Sequence, residues 1–351
     1  MTAPDATGPD SSVPDSSAPS ALSASALSPF TVSPLATAPF ATAPLAHEAL
    51  PGPLPETSLR IAVVQNAARP LKVADNARAA AARAAHAARE GARLVVLPEL
   101  HLCSYDLPRL AEATTDATAT AEAQAEAGAG AGAAVVHADR TRHITDRRLD
   151  PLVDIAVHRR ITVVIGAAVR RHDGRLTNSL LAVEPGGTVT VVYDKQHLWH
   201  DEEADLFSPG TRGAFLTVDD WRLGLGICYD MSFPEHARAA ALAGAHAQLY
   251  PAAFAAGTEH RAAVYLKARA LENTIYTVFA NPLEGPAHRP CDGLSAVYGP
   301  DGGTVSHAGP GQNTVLLADL EPKAVTEARV HLRMLAEQRS LRLASPVDPP
   351  T

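Results

Sequence analysis

The chain has 351 residues and a formal net charge of −8 at neutral pH, which speaks against a nucleic-acid or anionic-membrane partner, since both need a basic face. Its apolar fraction of 46% is that of a globular protein, and no apolar run approaches the roughly 20 residues needed to span a bilayer. Three cysteines, Cys103, Cys228 and Cys291, are too few for a disulfide framework in a chain this long and point to a reduced, cytoplasmic protein.

Residues 1–57 are rich in Ala, Pro and Ser. Scattered prolines bar regular structure, so this stretch reads as a disordered tail; it lacks the basic start and apolar centre of a signal peptide. A single domain is expected over 58–345. It opens on a strand, LRIAVVQ, from Leu59. Leu71 to Glu90, rich in Ala and Arg and stopped by Gly91, reads as a helix. LVVLPEL, Leu94 to Leu100, is a second buried strand halted at Pro98, with Glu99 just past its end. The Ala/Gly-rich stretch at about 111–134 reads as an inserted, mobile surface loop.

A helix is expected near Arg147 to Arg159, then the strand ITVVIGAAVR. A turn at Asp173-Gly174 leads into Leu176 to Val183, and Pro185-Gly186-Gly187 leads into TVTVVYDK, which ends at Lys195. Arg222 to Ile227 is a short buried strand in which Gly224 and Gly226 admit close backbone approach. It ends on Cys228. Ser232 and Glu235 match an S-x-x-E capping box, with Pro234 in the first turn of the helix they start. A cysteine between a strand end and a helix start is in a setting that favours thiolate, although a buried core filler fits the same residues. Further strands are expected at Ala247 to Pro251, Ile275 to Asn281 and Val315 to Leu320. Helices are expected at Glu259 to Asn273 and from Glu321 to about Leu343, and a hairpin around Pro300-Asp301-Gly302. Alternating strands and helices interrupted by hairpins indicate an α/β protein with mixed sheets.

Glu99, Lys195 and Cys228 each follow an apolar strand directly, where open α/β sheets gather ligands. Together they supply a base, a cation and a nucleophile. The blocks LVVLPEL, YDKQHLWHDEEADLFSPG and GICYDMSFPE, followed by KARALENTIYTVFANP and GLSAVYGPDGG, resemble the nitrilase (carbon–nitrogen hydrolase) superfamily, and the resemblance covers about Leu59 to Leu320.

The resemblance implies a four-layer αββα sandwich with two mixed β-sheets, and a catalytic triad at Glu99, Lys195 and Cys228. A second glutamate is implied at Glu203, with the adjacent Glu202 left open. Association through helices into a homodimer or larger assembly is also implied. Neither a cofactor nor a metal is expected; His197 and His200 lie three apart but without an HExxH or Cys-x-x-Cys companion. The implied activity is cysteine-dependent hydrolysis of a small-molecule amide through a thioester. A nitrilase or an N-carbamoyl amide hydrolase is the alternative, and a catalytically silent interaction protein on the same fold is the reading from another class. Tyr229 would lend its backbone N–H to the oxyanion. Tyr105 and Phe254 either line the acyl pocket or simply pack. Two departures stand out. Ser232 occupies the place where many amidase members carry arginine, which weakens a dicarboxylate-monoamide reading, and Ser104 precedes Tyr105 where glycine is frequent.

Overall fold

Side-chain alternation along the first strand sorts the interior into two cores. In β1 (Leu59–Gln65), Leu59, Ile61 and Val63 join one apolar cluster while Ala62 and Val64 join another, the period of two that a strand imposes. The computed structural model describes residues 53–119 and 134–337; the expectations for 1–52, 120–133 and 338–351 lie outside the described residues.

After β1 come α1 (Val73–Arg89), β2 (Leu94–Val96), α2 (Leu107–Ala119), β3 (Val136–His137), α3 (Asp150–Arg159), β4 (Thr162–Arg170), β5 (Leu176–Val183), β6 (Val189–Asp194) and α4 (His200–Leu206). The second half runs β7 (Ala214–Val218), β8 (Trp221–Leu225), α5 (Pro234–Leu242), β9 (Ala247–Pro251), α6 (Glu259–Asn273), β10 (Tyr276–Ala280), β11 (Leu283–Glu284), β12 (Cys291–Asp292), β13 (Ala296–Tyr298), β14 (Thr304–His307), β15 (Thr314–Leu320) and α7 (Pro322–His331).

One sheet has the order β15-β1-β2-β4-β5-β6, with β3 added against β4; the other runs β14-β13-β10-β9-β8-β7. Both are mixed. β1, β2 and β4 are mutually parallel, β15 and β5 join them antiparallel, and β6 pairs antiparallel with β5. In the second sheet β8, β9 and β10 are parallel and flanked by antiparallel β7 and β13. The inner faces of the two sheets share one core, to which Ile61, Val63 and Val96 contribute from one side and Leu223, Leu249 and Val278 from the other. The alanine face of α1 (Ala77, Ala80, Ala84) and Leu152 and Ala156 of α3 close over the outer face of the first sheet. Helix α6 packs on β10, its Leu266 carbonyl accepting from Thr277 Oγ1 at 3.0 Å. The layers are therefore αββα, as the resemblance implies.

Several boundaries differ from the sequence reading. Residues 53–57, assigned to the tail, pack onto the domain: Pro55 is buried and the Thr57 carbonyl accepts from Trp221 Nε1 at 2.9 Å. The stretch expected to be loop from 111 is helical to Ala119, because alanine's helix propensity prevails up to that point. Ser232 does not cap α5. Phe233 is the N-cap and Pro234 takes the first helical position, while Cys228–Ser232 forms a separate 3-10 turn. The last helix stops at His331 rather than continuing towards Leu343. Helix α4 and strands β3, β7, β11 and β12 carry no strong periodic signal and are additions to the expected elements.

Candidate active site

The site forms where strand ends from both sheets converge. After β2 the chain turns through Pro98 to Glu99, whose backbone N–H donates across to the Ala252 carbonyl at 3.3 Å. This crossing needs Gly166 on β4: a Cβ there would lie 2.5 Å from the Pro98 oxygen and 2.7 Å from the Glu99 carbonyl carbon. Lys195 follows β6, its N–H bonded to the Asn178 carbonyl at 2.9 Å and its carbonyl to the Gly210 N–H at 2.7 Å. Cys228 begins the 3-10 turn after β8 with a φ of 46°. A left-handed non-glycine residue costs on the order of 1–3 kcal/mol, and such strain gathers at functional sites. Gly226 supports the turn, since a Cβ there would lie 2.6 Å from the Tyr250 ring.

These segments bring the expected residues together. Lys195 Nζ donates to Glu99 Oε1 at 2.7 Å and to Glu203 Oε1 at 2.8 Å, and all three side chains are excluded from solvent. The two adjacent glutamates differ in their placement. Glu203 also accepts from the Trp199 N–H at 2.7 Å, whereas Glu202 is 60% exposed and faces Arg289. Tyr105 lies beneath the site and donates to Glu203 Oε1 at 2.7 Å. Ser104 before it has a φ of 66°, which accounts for the fit of glycine at that place.

Burial raises Glu99 to about 7, against the pull of Lys195. Burial would lower Lys195, but Glu99 and Glu203 more than reverse this and hold it charged. Burial and then Glu99 push the Cys228 thiol well above its ordinary value, with Lys195 opposing. The sequence expectation of a resting thiolate is therefore corrected: desolvation outweighs the local dipole.

Cys228 opens onto a cavity of about 340 Å³ lined by Trp199, Tyr229, Phe254, Thr258, Arg261 and Arg289, among others. Two of the three expected substrate-side residues, Tyr229 and Phe254, are in this wall; Tyr105 is behind it. The Phe254 backbone is held by Asn281, which accepts from its N–H at 2.7 Å and donates to its carbonyl at 3.2 Å. The turn carrying the cysteine is fixed by buried Asp230, which accepts from the Ile227 N–H at 2.9 Å, the His197 N–H at 2.9 Å and the Tyr193 hydroxyl at 2.7 Å. His197 Nδ1 lies 2.8 Å from the same carboxylate, and its ring stacks on Phe233. Arg269 braces the other end of the turn through the Met231 and Ser232 carbonyls. Sequence reasoning missed Asn178, which donates to Glu99 Oε1 at 2.7 Å, and Arg289. A buried Asn within the apolar strand LTNSLLAV was the one available signal for the former.

This double-sheet architecture, with its catalytic-type residues gathered at strand ends, is that of the nitrilase superfamily. The chain belongs to the carbon-nitrogen hydrolase family, whose profile matches residues 60–330, and it is accordingly an enzyme. It is 31% identical over 290 residues to the hydrolase in pqqF 5'region of Pseudomonas protegens, covering 80% of this chain and 90% of that protein. It is 27% identical over 295 residues to omega-amidase NIT2 of Mus musculus, covering 81% and 96%. Among solved structures, a double mutant of the amidase from Nesterenkonia sp. AN1 in complex with acrylamide superposes with a TM-score of 0.64 at 26% identity, covering 82% of this chain and 97% of that one. Saccharomyces cerevisiae Nit3, a nitrilase superfamily member, shares the fold with a TM-score of 0.67 at 23% identity, covering 80% and 96%.

Proposed function

We propose that the protein hydrolyses a small-molecule amide to a carboxylic acid and ammonia or an amine through a thioester on Cys228. The observation that carries this reading is the solvent-excluded Glu99–Lys195–Glu203 chain within electrostatic reach of a strained cysteine that opens onto a cavity.

Sγ of Cys228 attacks the amide carbon as Glu99 takes the thiol proton. Because the thiol titrates high and Glu99 near neutrality, attack and proton transfer are coupled. Lys195 and the Tyr229 N–H receive the developing oxyanion; that N–H lies in the first turn of the 3-10 segment, where backbone donors lack helical partners. Collapse breaks the C–N bond, and Glu99 passes its proton to the departing nitrogen. Water then attacks the thioester, giving a proton to Glu99, which returns it to sulfur as the acid leaves. Glu203 holds Lys195 in place. Two of the amidase-type comparisons are in keeping with this: an omega-amidase among the relatives, and a structure of the Nesterenkonia amidase with the acetamide moiety of fluoroacetamide added at its active-site cysteine. Self-association through α5 and α6, which expose Leu242, Val264 and Leu271, belongs to the same reading and is checked by sedimentation. So does a cytoplasmic setting, with Cys103, Cys228 and Cys291 all free.

The test is ammonia release from a panel of amides, nitriles and N-carbamoyl compounds by wild type and Cys228→Ala. Cys228-dependent release from amides is expected. Release from nitriles alone, or carbon dioxide alongside ammonia, would transfer the protein to the nitrilase or carbamoylase alternative. Silence with slow thiol labelling would make it an interaction protein.

A further inference from the structure

One buried titratable side chain beside the site has no part in the chemistry above. His101 is 1% exposed, and neither of its ring nitrogens has a hydrogen-bond partner among the described residues. The second oxygen of Glu99, Oε2, is in the same condition, because Lys195 and Asn178 both donate to Oε1. Leu100 stands between the two residues with a φ of 49°, a sharp bend after which Glu99 and His101 line one cavity of about 10 Å³. The bend is held by the Cys103 N–H on the Leu100 carbonyl at 2.9 Å and by the Leu102 N–H on the Gly166 carbonyl at 3.0 Å. Ser104 is a third polar side chain in the wall, and Pro282, Leu283 and Cys291 complete its less polar side. Such a volume admits about one water molecule, and a buried water needs roughly two to four polar partners. Glu99, His101 and Ser104 meet that requirement.

We propose that His101 is a positioning residue for Glu99: it holds one water against Oε2, and that water gives the carboxylate a hydrogen bond that Lys195 and Asn178 do not supply. The proposal rests on Glu99 being the base of the amidase reading above. A neutral imidazole N–H donates to the water oxygen, and the water donates to Oε2. A carboxylate oxygen accepts more than one hydrogen bond, so a lone pair of Oε2 is left for the thiol proton of Cys228. Burial lowers His101 to about 4 and raises Glu99 to about 7, so the ring is uncharged wherever Glu99 is ionised and no ion pair forms between them. The titratable groups that act on Glu99 from other elements are Lys195, Glu203, Cys228, Arg289 and Cys291, with Tyr105 on its own segment. Glu284, in the cavity wall, is exposed. The water acts on Glu99 apart from these charges: its hydrogen bond favours the ionised carboxylate, the form that takes the thiol proton.

The experiment follows alkylation of Cys228 by iodoacetamide between pH 5 and pH 9 in the full chain, with the Cys228 peptide quantified by mass spectrometry, in wild type, His101→Phe and His101→Gln. The reagent requires no knowledge of the substrate: sulfur bonds to its methylene carbon, iodide leaves and Glu99 takes the thiol proton. In wild type the rate should fall as the pH drops through about 7. In His101→Phe the water loses its anchor and ionised Glu99 a hydrogen bond, so the acidic limb should move up by about 0.5–1 pH unit, equivalent to an about three- to tenfold lower rate at pH 6. His101→Gln keeps a donor and should return the limb most of the way. A limb that stays in place in His101→Phe overturns the proposal. So does an equal loss at every pH, or a glutamine variant that behaves like the phenylalanine one, either of which would make His101 a packing residue. A crystal structure of wild type supplies a readout independent of variant folding. A water within hydrogen-bond distance of both Glu99 Oε2 and a His101 ring nitrogen is expected, and its absence overturns the proposal. Ammonia release decides the amidase reading separately. If amides are hydrolysed and the limb does not move, that reading stands and the water site falls. If the water is present and the limb moves but no amide is hydrolysed, the reverse holds.

Discussion

Lys195 Nζ and Glu99 Oε1 meet at 2.7 Å with neither side chain exposed, and Glu203 closes on the same nitrogen from the other side. Removing the ammonium would leave two carboxylates facing each other in a dry site. Lys195→Met is expected to lose turnover and to lower stability by about 3–5 kcal/mol at pH 8. Without the cation Glu99 binds a proton more readily, so the deficit should shrink as the pH is lowered towards 5. Thermal melts at the two pH values check both the size and the sign.

The acidic limb of kcat/KM should report Glu99. In the proposed mechanism its base form is the active one, and burial raises it to about 7, so activity should fall as the pH drops through neutrality. Asn178 donates to Glu99 Oε1 and favours its ionised form. In Asn178→Ala the acidic limb should move to higher pH, and a limb that stays in place or moves down would disconnect it from Glu99.

Asp230→Asn tests the support of the cysteine turn. Burial opposes the charge on Asp230, but His197, the Ile227 N–H and Tyr193, together with the nearby His236, hold it below its ordinary value. The stabilisation is present in full above the unfolded value of about 3.8 and is lost as the pH falls through the lower folded value. The amide would point hydrogens at groups that donate, with an expected loss of about 2–4 kcal/mol near neutrality. Calorimetry should also show a flatter pH dependence of stability below pH 4 in the variant.

Gly166→Ala places a methyl against the backbone of residues 98–100, which has no flexible side chain to yield. Destabilisation of about 1–3 kcal/mol is expected, accompanied by a fall in kcat larger than any change in KM, because the displaced group is Glu99 and the cavity wall is untouched. Steady-state kinetics with a single amide separates the two parameters.

The parts of the site that the sequence declares are those fixed by local geometry. Glu99, Lys195 and Cys228 stand at the ends of apolar strands, and strand ends can be read from punctuation such as Pro98 and the glycines before Cys228. Glu203 could only be narrowed to one of two neighbours, since the rotation of the short helix α4 decides which side chain turns inward. Arg289 was invisible because its place is set by how the β11–β12 segment folds back over Tyr105 and Trp199, residues far away in the chain. The ionisation of Cys228 was misjudged for a related reason: local motifs report the helix start, whereas desolvation is the sum of everything packed around the sulfur. Fold class was the most legible feature, because the longer strands, such as β1, β4 and β5, and their hairpins leave a trace that survives errors of a few residues at each boundary.

Glu99, Asn178 and Lys195 belong to one sheet, and Cys228 and Phe254 follow strands of the other, so the residues of the candidate site sit on opposite sides of a seam. Turnover therefore counts molecules in which the seam is closed. A partially unfolded population that keeps its strands but lets the layers slip would retain far-ultraviolet ellipticity while falling silent as a catalyst. Under mild urea or acid, the gap between the two signals would measure how firmly one half of the sandwich grips the other.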